Sequence, residues 1–174
     1  FDFNADFTMS AWINLKSGTP TNFPENFISN GPDTTRANLR ILTDWGDPYF
    51  DGQDGLSFVW ENGAQLRLVT GLVPPVVRET WWQTTVVRSG SIVSLYTNGS
   101  FLANGAMTPV TNSPEIWLGR HQGGTSYPLI GGIDDVRFYN RALSPDEVLQ
   151  LYQAERPPSP APTLHPQSQT VTVG

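Results

Sequence analysis

Hydrophobic and polar residues alternate along much of the chain, and this alternation is typical of β-strands with one buried face. In residues 7–13 every second position is apolar, so we expect a half-buried strand with its apolar side inward and Trp12 on the polar side. The same reasoning, together with β-branched and aromatic residues, predicts further strands. These strands lie at residues 26–30, 37–43, 55–60, 65–70, 81–88, 91–97, 100–103 and 115–118.

Turn and cap signals connect these strands and end the pattern. Asn98-Gly99 favours a tight type I′ turn, so strands 81–88, 91–97 and 100–103 should form a meander. Ser144-Pro145-Asp146-Glu147 has the form of a capping box, with proline at the first helical position. A helix of about two to three turns should follow, to about Gln153, with Leu143 packed against Val148.

The segment 131–143 joins a predicted strand to this helix and contains two adjacent acids. In a regular strand Asp134 shares its side with Val136 and Phe138, so its carboxylate should face the core. A core-facing carboxylate must be hydrogen-bonded, paired with a cation or bound to a metal.

Composition supports an all-β domain and excludes some partners. The 174 residues are enough for one domain with a core, and 16 glycines and 15 prolines suit many short strands and turns. The net charge of −6 and the single lysine argue against nucleic acid. No apolar run approaches the length of about 18 residues that a membrane span needs, so we expect no membrane insertion.

Proline marks the end of the domain. Residues 156–166 hold five prolines in eleven positions, which predicts an extended linker. Residues 167–174 resume strand alternation, and we interpret them as the start of a following immunoglobulin-like module. The domain itself should therefore span residues 1–155.

Three segments, at 7–13, 79–103 and 131–152, together resemble the laminin G-like jelly rolls of the concanavalin A-like lectin and glucanase superfamily. The third segment resembles the closing strand and capped helix of bacterial members. The resemblance implies an all-β, two-sheet antiparallel jelly-roll sandwich with one short C-terminal helix. Family members usually begin with one further strand, so the first strand is expected to be truncated, leaving an open sheet edge.

The resemblance also implies a structural Ca²⁺, because related sandwiches use an aspartate at the position of Asp134 to hold one. In the alternative, Asp134 caps a turn or pairs with Arg137 or Arg141. The acidic loop 44–55 offers Asp47 and Asp51 as further calcium ligands. Its spacing does not match an EF-hand, and most acidic loops are merely solvated, which is the favoured explanation here.

Aromatic residues are candidates for stacking on sugar rings. The candidate ligand-binding residues are Trp45, Tyr49, Trp12 and Tyr127, and packing is the alternative for each. Trp81 and Trp82 lie in a dense strand and are predicted to be packing residues.

Catalysis is not expected. Retaining glycosidases of the superfamily need two carboxyls close together on one strand, whereas the six glutamates here are scattered singly. We therefore expect a non-catalytic, secreted or cell-surface module of bacterial type that binds a polysaccharide or glycan. The alternative is a structural or adhesive module that binds another protein chain, or its own copies, through the open edge.

Overall fold

The computed structural model describes residues 1–17, 25–31, 39–44, 55–61, 65–69, 78–120 and 128–156, with the backbone alone for residues 39–44, 55, 61 and 65–69. These residues form ten strands and one helix. The strands are β1 (Phe7–Leu15), β2 (Asn26–Asn30), β3 (Leu39–Asp44), β4 (Gly55–Glu61), β5 (Gln65–Val69), β6 (Trp81–Ser89), β7 (Ile92–Thr97), β8 (Ser100–Ala106), β9 (Ile116–Leu118) and β10 (Gly131–Tyr139), and the helix is α1 (Pro145–Glu155). The strands predicted between residues 7 and 139 are confirmed, with small shifts at their ends. The predicted linker after Arg156 and the strand predicted at 167–174 lie outside the described residues.

The strands form two five-stranded antiparallel sheets. Sheet A has the order β10-β1-β6-β7-β8, and sheet B has the order β5-β4-β3-β2-β9. The meander β6-β7-β8 is confirmed, and positive φ angles at Asn98 (47°) and Gly99 (74°) fit the predicted turn between β7 and β8. The predicted two-sheet jelly-roll sandwich is confirmed.

The core lies between the two sheets and is rich in aromatic residues. Phe27 of sheet B meets Trp82 of sheet A edge-to-face, with ring centroids 5.7 Å apart. Burying each such side chain contributes about 1.5–3 kcal/mol. The largest of the fully buried side chains among the described residues are Trp60, Phe3, Phe7, Phe27, Phe58, Met9, Ile13, Leu15 and Ile28. The packing role predicted for Trp82 is therefore confirmed.

Helix α1 covers the outer face of sheet A, so β1 is buried on both sides. The prediction of a half-buried strand is wrong for this reason. The outward Thr8 keeps its hydrogen bonds, donating to the Arg141 carbonyl at 2.9 Å and accepting from the Leu143 N–H at 3.0 Å. A polar side chain of β1 thus supplies hydrogen-bond partners to backbone groups of the segment that leads into the helix.

The helix begins as predicted. The Ser144 hydroxyl accepts from the Glu147 N–H, and the Glu147 carboxylate accepts from the Ser144 N–H, which completes the capping box. Leu143 and Val148 pack in one buried cluster. The helix ends at Glu155, two residues beyond the expected end, and this extension brings Glu155 onto the sheet.

Candidate ligand-binding cleft

A β-bulge in β10 sets the direction of the two adjacent aspartates. Ser10 lies opposite Arg137 and Trp12 opposite Asp134, so two steps along β1 match three along β10. Asp135 has φ +45°, a left-handed conformation that aspartate tolerates better than most residues. The bulge therefore resets the alternation of β10 at this point.

The predicted core-facing position of Asp134 is wrong because of this bulge. Asp134 is exposed and lies beside the outward Trp12, whereas Ile133, Val136 and Phe138 pack against the core. The two adjacent acids line one cleft, although neighbouring residues of a regular strand point to opposite faces.

This cleft has a volume of about 160 Å³ and lies on the outer face of sheet A, at the C-terminal end of α1. Four separate elements build it: β1, β6, β10 and α1. Its lining residues are Trp12, Trp81, Asp134, Asp135 and Glu155. Two residues singled out from the sequence, Trp12 and Asp134, are thus brought together.

Trp81 supplies the exposed aromatic surface of the cleft. Its side chain is 41% exposed, and its ring lies against the backbone of Gly132, where a Cβ would come within 2.8 Å of the ring carbon Cη2. A glycine is needed here for the ring to lie against β10. Trp81 was predicted to be a packing residue like Trp82, but its exposure shows that this prediction is wrong. Its ring reaches Gly132 because Asn14 of β1 pairs with Trp81 on one side and with Gly132 on the other.

Trp12 forms the buried wall of the cleft. It is 6% exposed, and its ring stacks on Tyr152 with centroids 5.7 Å apart. Its Nε1–H donates to Glu155 Oε2 at 3.0 Å. Helix α1 therefore covers much of the indole that we singled out for sugar stacking, and Trp81 has the larger free surface.

Glu155 joins the end of the helix to the sheet. Its side chain is 6% exposed, and Oε2 accepts from Gln83 Nε2 at 2.8 Å as well as from Trp12. Oε1 lies 2.6 Å from Arg137 Nε as an ion pair. Partial burial of the guanidinium lowers the pKa of Arg137, but the negative charge of Glu155 raises it, and the net change is upward.

The other two carboxylates of the cleft are less compensated. Within the described residues Asp134 forms no ion pair, and its Oδ1 accepts the Asp135 N–H at 2.8 Å. Asp135 is 3.7 Å from the same guanidinium of Arg137 that pairs with Glu155. Neither Arg137 nor Arg141 pairs with Asp134, since Arg141 bonds to Glu147. Asp135 and Glu155 thus share the Arg137 guanidinium, and Asp134 has no cation partner among the described residues.

The other candidates can be placed only in part. Asp47, Asp51, Trp45, Tyr49 and Tyr127 lie outside the described residues. Within the described ranges, the acidic and histidine side chains form no group of three that could hold a metal ion. Asp134 has exposed carboxylate oxygens of the kind that calcium prefers, but it is not buried, so the argument that a core-facing carboxylate needs a partner does not apply to it.

An exposed aromatic ring beside carboxylates can bind a sugar. The ring covers the apolar C–H face of a pyranose, and the carboxylates accept hydrogen bonds from its hydroxyls. Asp135, Glu155 and Trp81 were not predicted as site residues. The glycine pair at 131–132 was the one local signal, because glycine in a strand marks close approach of another group.

A two-sheet antiparallel jelly-roll sandwich is an architecture that lectin domains share with other proteins. The family model Laminin_G_3, described as Concanavalin A-like lectin/glucanases superfamily, matches residues 1–149. The chain belongs to this family. No curated protein sequence matches it. In the part of the chain that the structure describes, no helix has the length and apolarity needed to cross a bilayer.

Solved structures share this fold at low sequence identity. The binding domain of Paraclostridial Mosquitocidal Protein 1 matches with a TM-score of 0.65 and 19% identity, over 88% of this chain and 38% of that one. Domain 4 of AbnA, a GH43 extracellular arabinanase from Geobacillus stearothermophilus solved with arabinotriose, matches with 0.64 and 20%, over 87% and 69%. The CBM40 of the Ruminococcus gnavus IT-sialidase gives 0.62 and 20%, over 86% and 83%.

Proposed function

We propose that this domain is a non-catalytic module that binds a carbohydrate in the cleft between β10 and the end of α1. The observation that carries the proposal is the exposed ring of Trp81 beside the carboxylates of Asp134 and Asp135. A pyranose stacked on Trp81 would place its hydroxyls within reach of these acceptors. Domain 4 of the arabinanase, which shares the fold, was solved with arabinotriose, and this supports a saccharide as the ligand class.

A glycan array tests this function. The parent protein should bind at least one glycan class, and Trp81→Ala should lose about tenfold or more in affinity, since stacking and excluded water are both removed. Phe101→Ala is the matched control: this aromatic residue is 54% exposed on β8, at the opposite edge of sheet A. Equal binding by Trp81→Ala and the parent would contradict the proposed site.

The absence of catalysis is part of the proposal. Incubation with the glycans that bind on the array should release no reducing ends. Measurable turnover that survives repurification would refute the non-catalytic assignment.

We also propose an extracellular or cell-surface location. Its support is that the arabinanase carrying a similar domain is extracellular. Fractionation of the source cells with an antibody to this domain tests the location, and signal confined to the cytoplasm would refute it.

Calcium is a separate proposal. Asp134 would hold the ion together with backbone carbonyls, and Asp47 and Asp51 are the ligands proposed for a second site. A bound calcium stabilises only the folded state, so the melting temperature in millimolar calcium should be several degrees higher than the melting temperature in EDTA. Asp134→Asn should lose this difference, and identical melts of the parent protein in the two buffers would refute the proposal.

An adhesive or self-assembling module is the second candidate. It is favoured by the position of β10 as an outermost strand of sheet A. The bulge at Asp135 and the charges of Asp134 and Arg137 oppose strand addition at this edge. Size-exclusion chromatography over a hundredfold range of concentration separates the two candidates, because only an assembling module changes its elution volume.

A further inference from the structure

We propose that the cleft selects a saccharide unit that carries a free, protonated amine over the same unit in neutral or anionic form. This inference rests on the proposed carbohydrate-binding function and adds the charge of the ligand to it. The observations that carry it are the charge balance of the cleft, the accessible ring of Trp81 and the commitment of Arg137 to Glu155.

The charge balance of the cleft is negative. Asp134, Asp135 and Glu155 line it, and among the described residues the cation that pairs with these acids is Arg137. Its Nε is 2.6 Å from Glu155, whereas its contact with Asp135 is 3.7 Å. The guanidinium therefore compensates Glu155 first, and the carboxylates of Asp134 and Asp135 remain available to a ligand cation.

Glu155 acts here as a positioning residue. Its Oε2 already accepts from Trp12 and Gln83, and its buried Oε1 lies in the ion pair with Arg137, so Glu155 holds the wall of the cleft and contributes little to recognition. Asp134 and Asp135 are exposed, and the bulge directs both to the cleft. A ligand amine would approach these two acids first.

Trp81 adds a second attraction for the same charge. An indole face binds an ammonium group through its quadrupole, and 41% of this side chain is exposed at the cleft. An anionic sugar gains nothing from the ring quadrupole and meets the uncompensated carboxylates. At about 160 Å³ the cleft is smaller than the pockets of about 300–1,000 Å³ that enclose drug-sized ligands, so it suits one sugar unit.

The test uses glycans of the same sugar series that carry a free amine, an acetylated amine or a carboxylate. Oligomers of glucosamine and N-acetylglucosamine, oligomers of galactosamine and N-acetylgalactosamine, and the corresponding uronic-acid oligomers are titrated at pH 6 in EDTA, which keeps the carboxylates free of metal. The free-amine member of a pair should bind about fivefold tighter than its acetylated partner, because an exposed ion pair and a cation–π contact each contribute a small factor. The uronic-acid oligomers should bind most weakly. Raising the salt concentration should reduce the preference for the amine.

Two substitutions remove the charge and keep the shape. Asp134→Asn and Asp135→Asn should each lower the amine preference, and the double variant should abolish it; asparagine also tolerates the positive φ at 135. Asp146→Asn is the control, since it changes the net charge equally at the other end of α1 and should leave the preference intact. Thermal melts confirm that each variant is folded.

The outcomes separate the two proposals. Equal binding of amine-bearing and acetylated glycans, weakened by Trp81→Ala, overturns the charge selection and leaves the carbohydrate-binding function standing. An amine preference that survives the double substitution also overturns the charge selection. A folded parent protein that binds none of the glycans, either here or on the array, overturns the proposed function itself.

Discussion

The contact between Glu155 and sheet A can be tested by removing the carboxylate. Glu155→Ala deletes the acceptor of two hydrogen bonds, from Trp12 and Gln83, and the ion pair with Arg137. An acid at the end of a helix is itself unfavourable, and the last turn of α1 contains no basic residue. If Glu155 stabilises the domain, it does so through these contacts.

The expected loss follows from the contacts. Each hydrogen bond to a charged acceptor contributes about 1.5 kcal/mol, and the ion pair adds about 0.5 kcal/mol because the Arg137 side chain is 43% exposed. Removing the side chain also removes an unfavourable charge at the C-terminal end of the helix and the entropy cost of ordering that side chain. These two gains offset about 1.5 kcal/mol of the loss. The substitution should therefore lower the free energy of unfolding by about 2 kcal/mol, or the melting temperature by about 4–8 °C.

Thermal and urea denaturation followed by circular dichroism measure this loss. Glu155→Gln keeps an oxygen acceptor and should lose about half as much. Glu115→Ala removes an exposed glutamate near β9 and should change the melting temperature little. A melting temperature for Glu155→Ala within about 1 °C of Glu115→Ala would refute the role of Glu155 in tying the helix to the sheet.

Other predictions concern the glycine pair and the helix start. Gly131→Ala should cost about 3 kcal/mol in denaturant titrations, because its Cβ would lie 1.9 Å from the Asn14 backbone oxygen. In Gly132→Ala the new Cβ would contact only the movable Trp81 ring, at 2.8 Å. The free energy of unfolding should therefore fall by less than about 1 kcal/mol, while glycan binding is still weakened. Ser144→Ala should lower the free energy of unfolding by about 1 kcal/mol, since the helix cap is lost; an unchanged urea midpoint would contradict this. The hydrogen bond from Arg141, with that from the Ser144 N–H, lowers the pKa of Glu147 from 4.5 to about 2. Its contribution to stability is therefore complete above about pH 4.5 and lost as the pH falls towards 2. Melting temperatures of the parent and Glu147→Gln should differ at pH 6 and converge near pH 2.

Local patterns predicted the elements of the fold well because their causes are local. Alternation, the Asn98-Gly99 turn and the Ser144 cap each depend on neighbouring residues, and the structure confirms all three. Trp12 on the polar side of β1 was a signal that something covers that face, since a large aromatic residue is seldom left in water. That signal was available in the sequence.

The cleft could not be predicted in the same way, because it depends on pairing between distant residues. Asp134 was placed on the wrong face since a bulge at Asp135 breaks the regular alternation. Trp81 meets Gly132 only because β6 and β10 flank the same strand. Glu155 reaches Trp12 only because α1 folds back over sheet A. None of these contacts between distant residues produces a periodic pattern in the sequence.

The position of β1 between β6 and β10 has a consequence for how the chain folds during synthesis. β1 is translated before both of its neighbours in sheet A, since Ile13 pairs with Trp82 on one side and with Ile133 on the other. Its apolar side chains must stay uncovered until nearly the whole domain has been translated. Contacts of such long sequence separation also slow folding. We expect the nascent chain to remain open to chaperones until β10 emerges, and ribosome-bound chains truncated before residue 131 should be sensitive to protease.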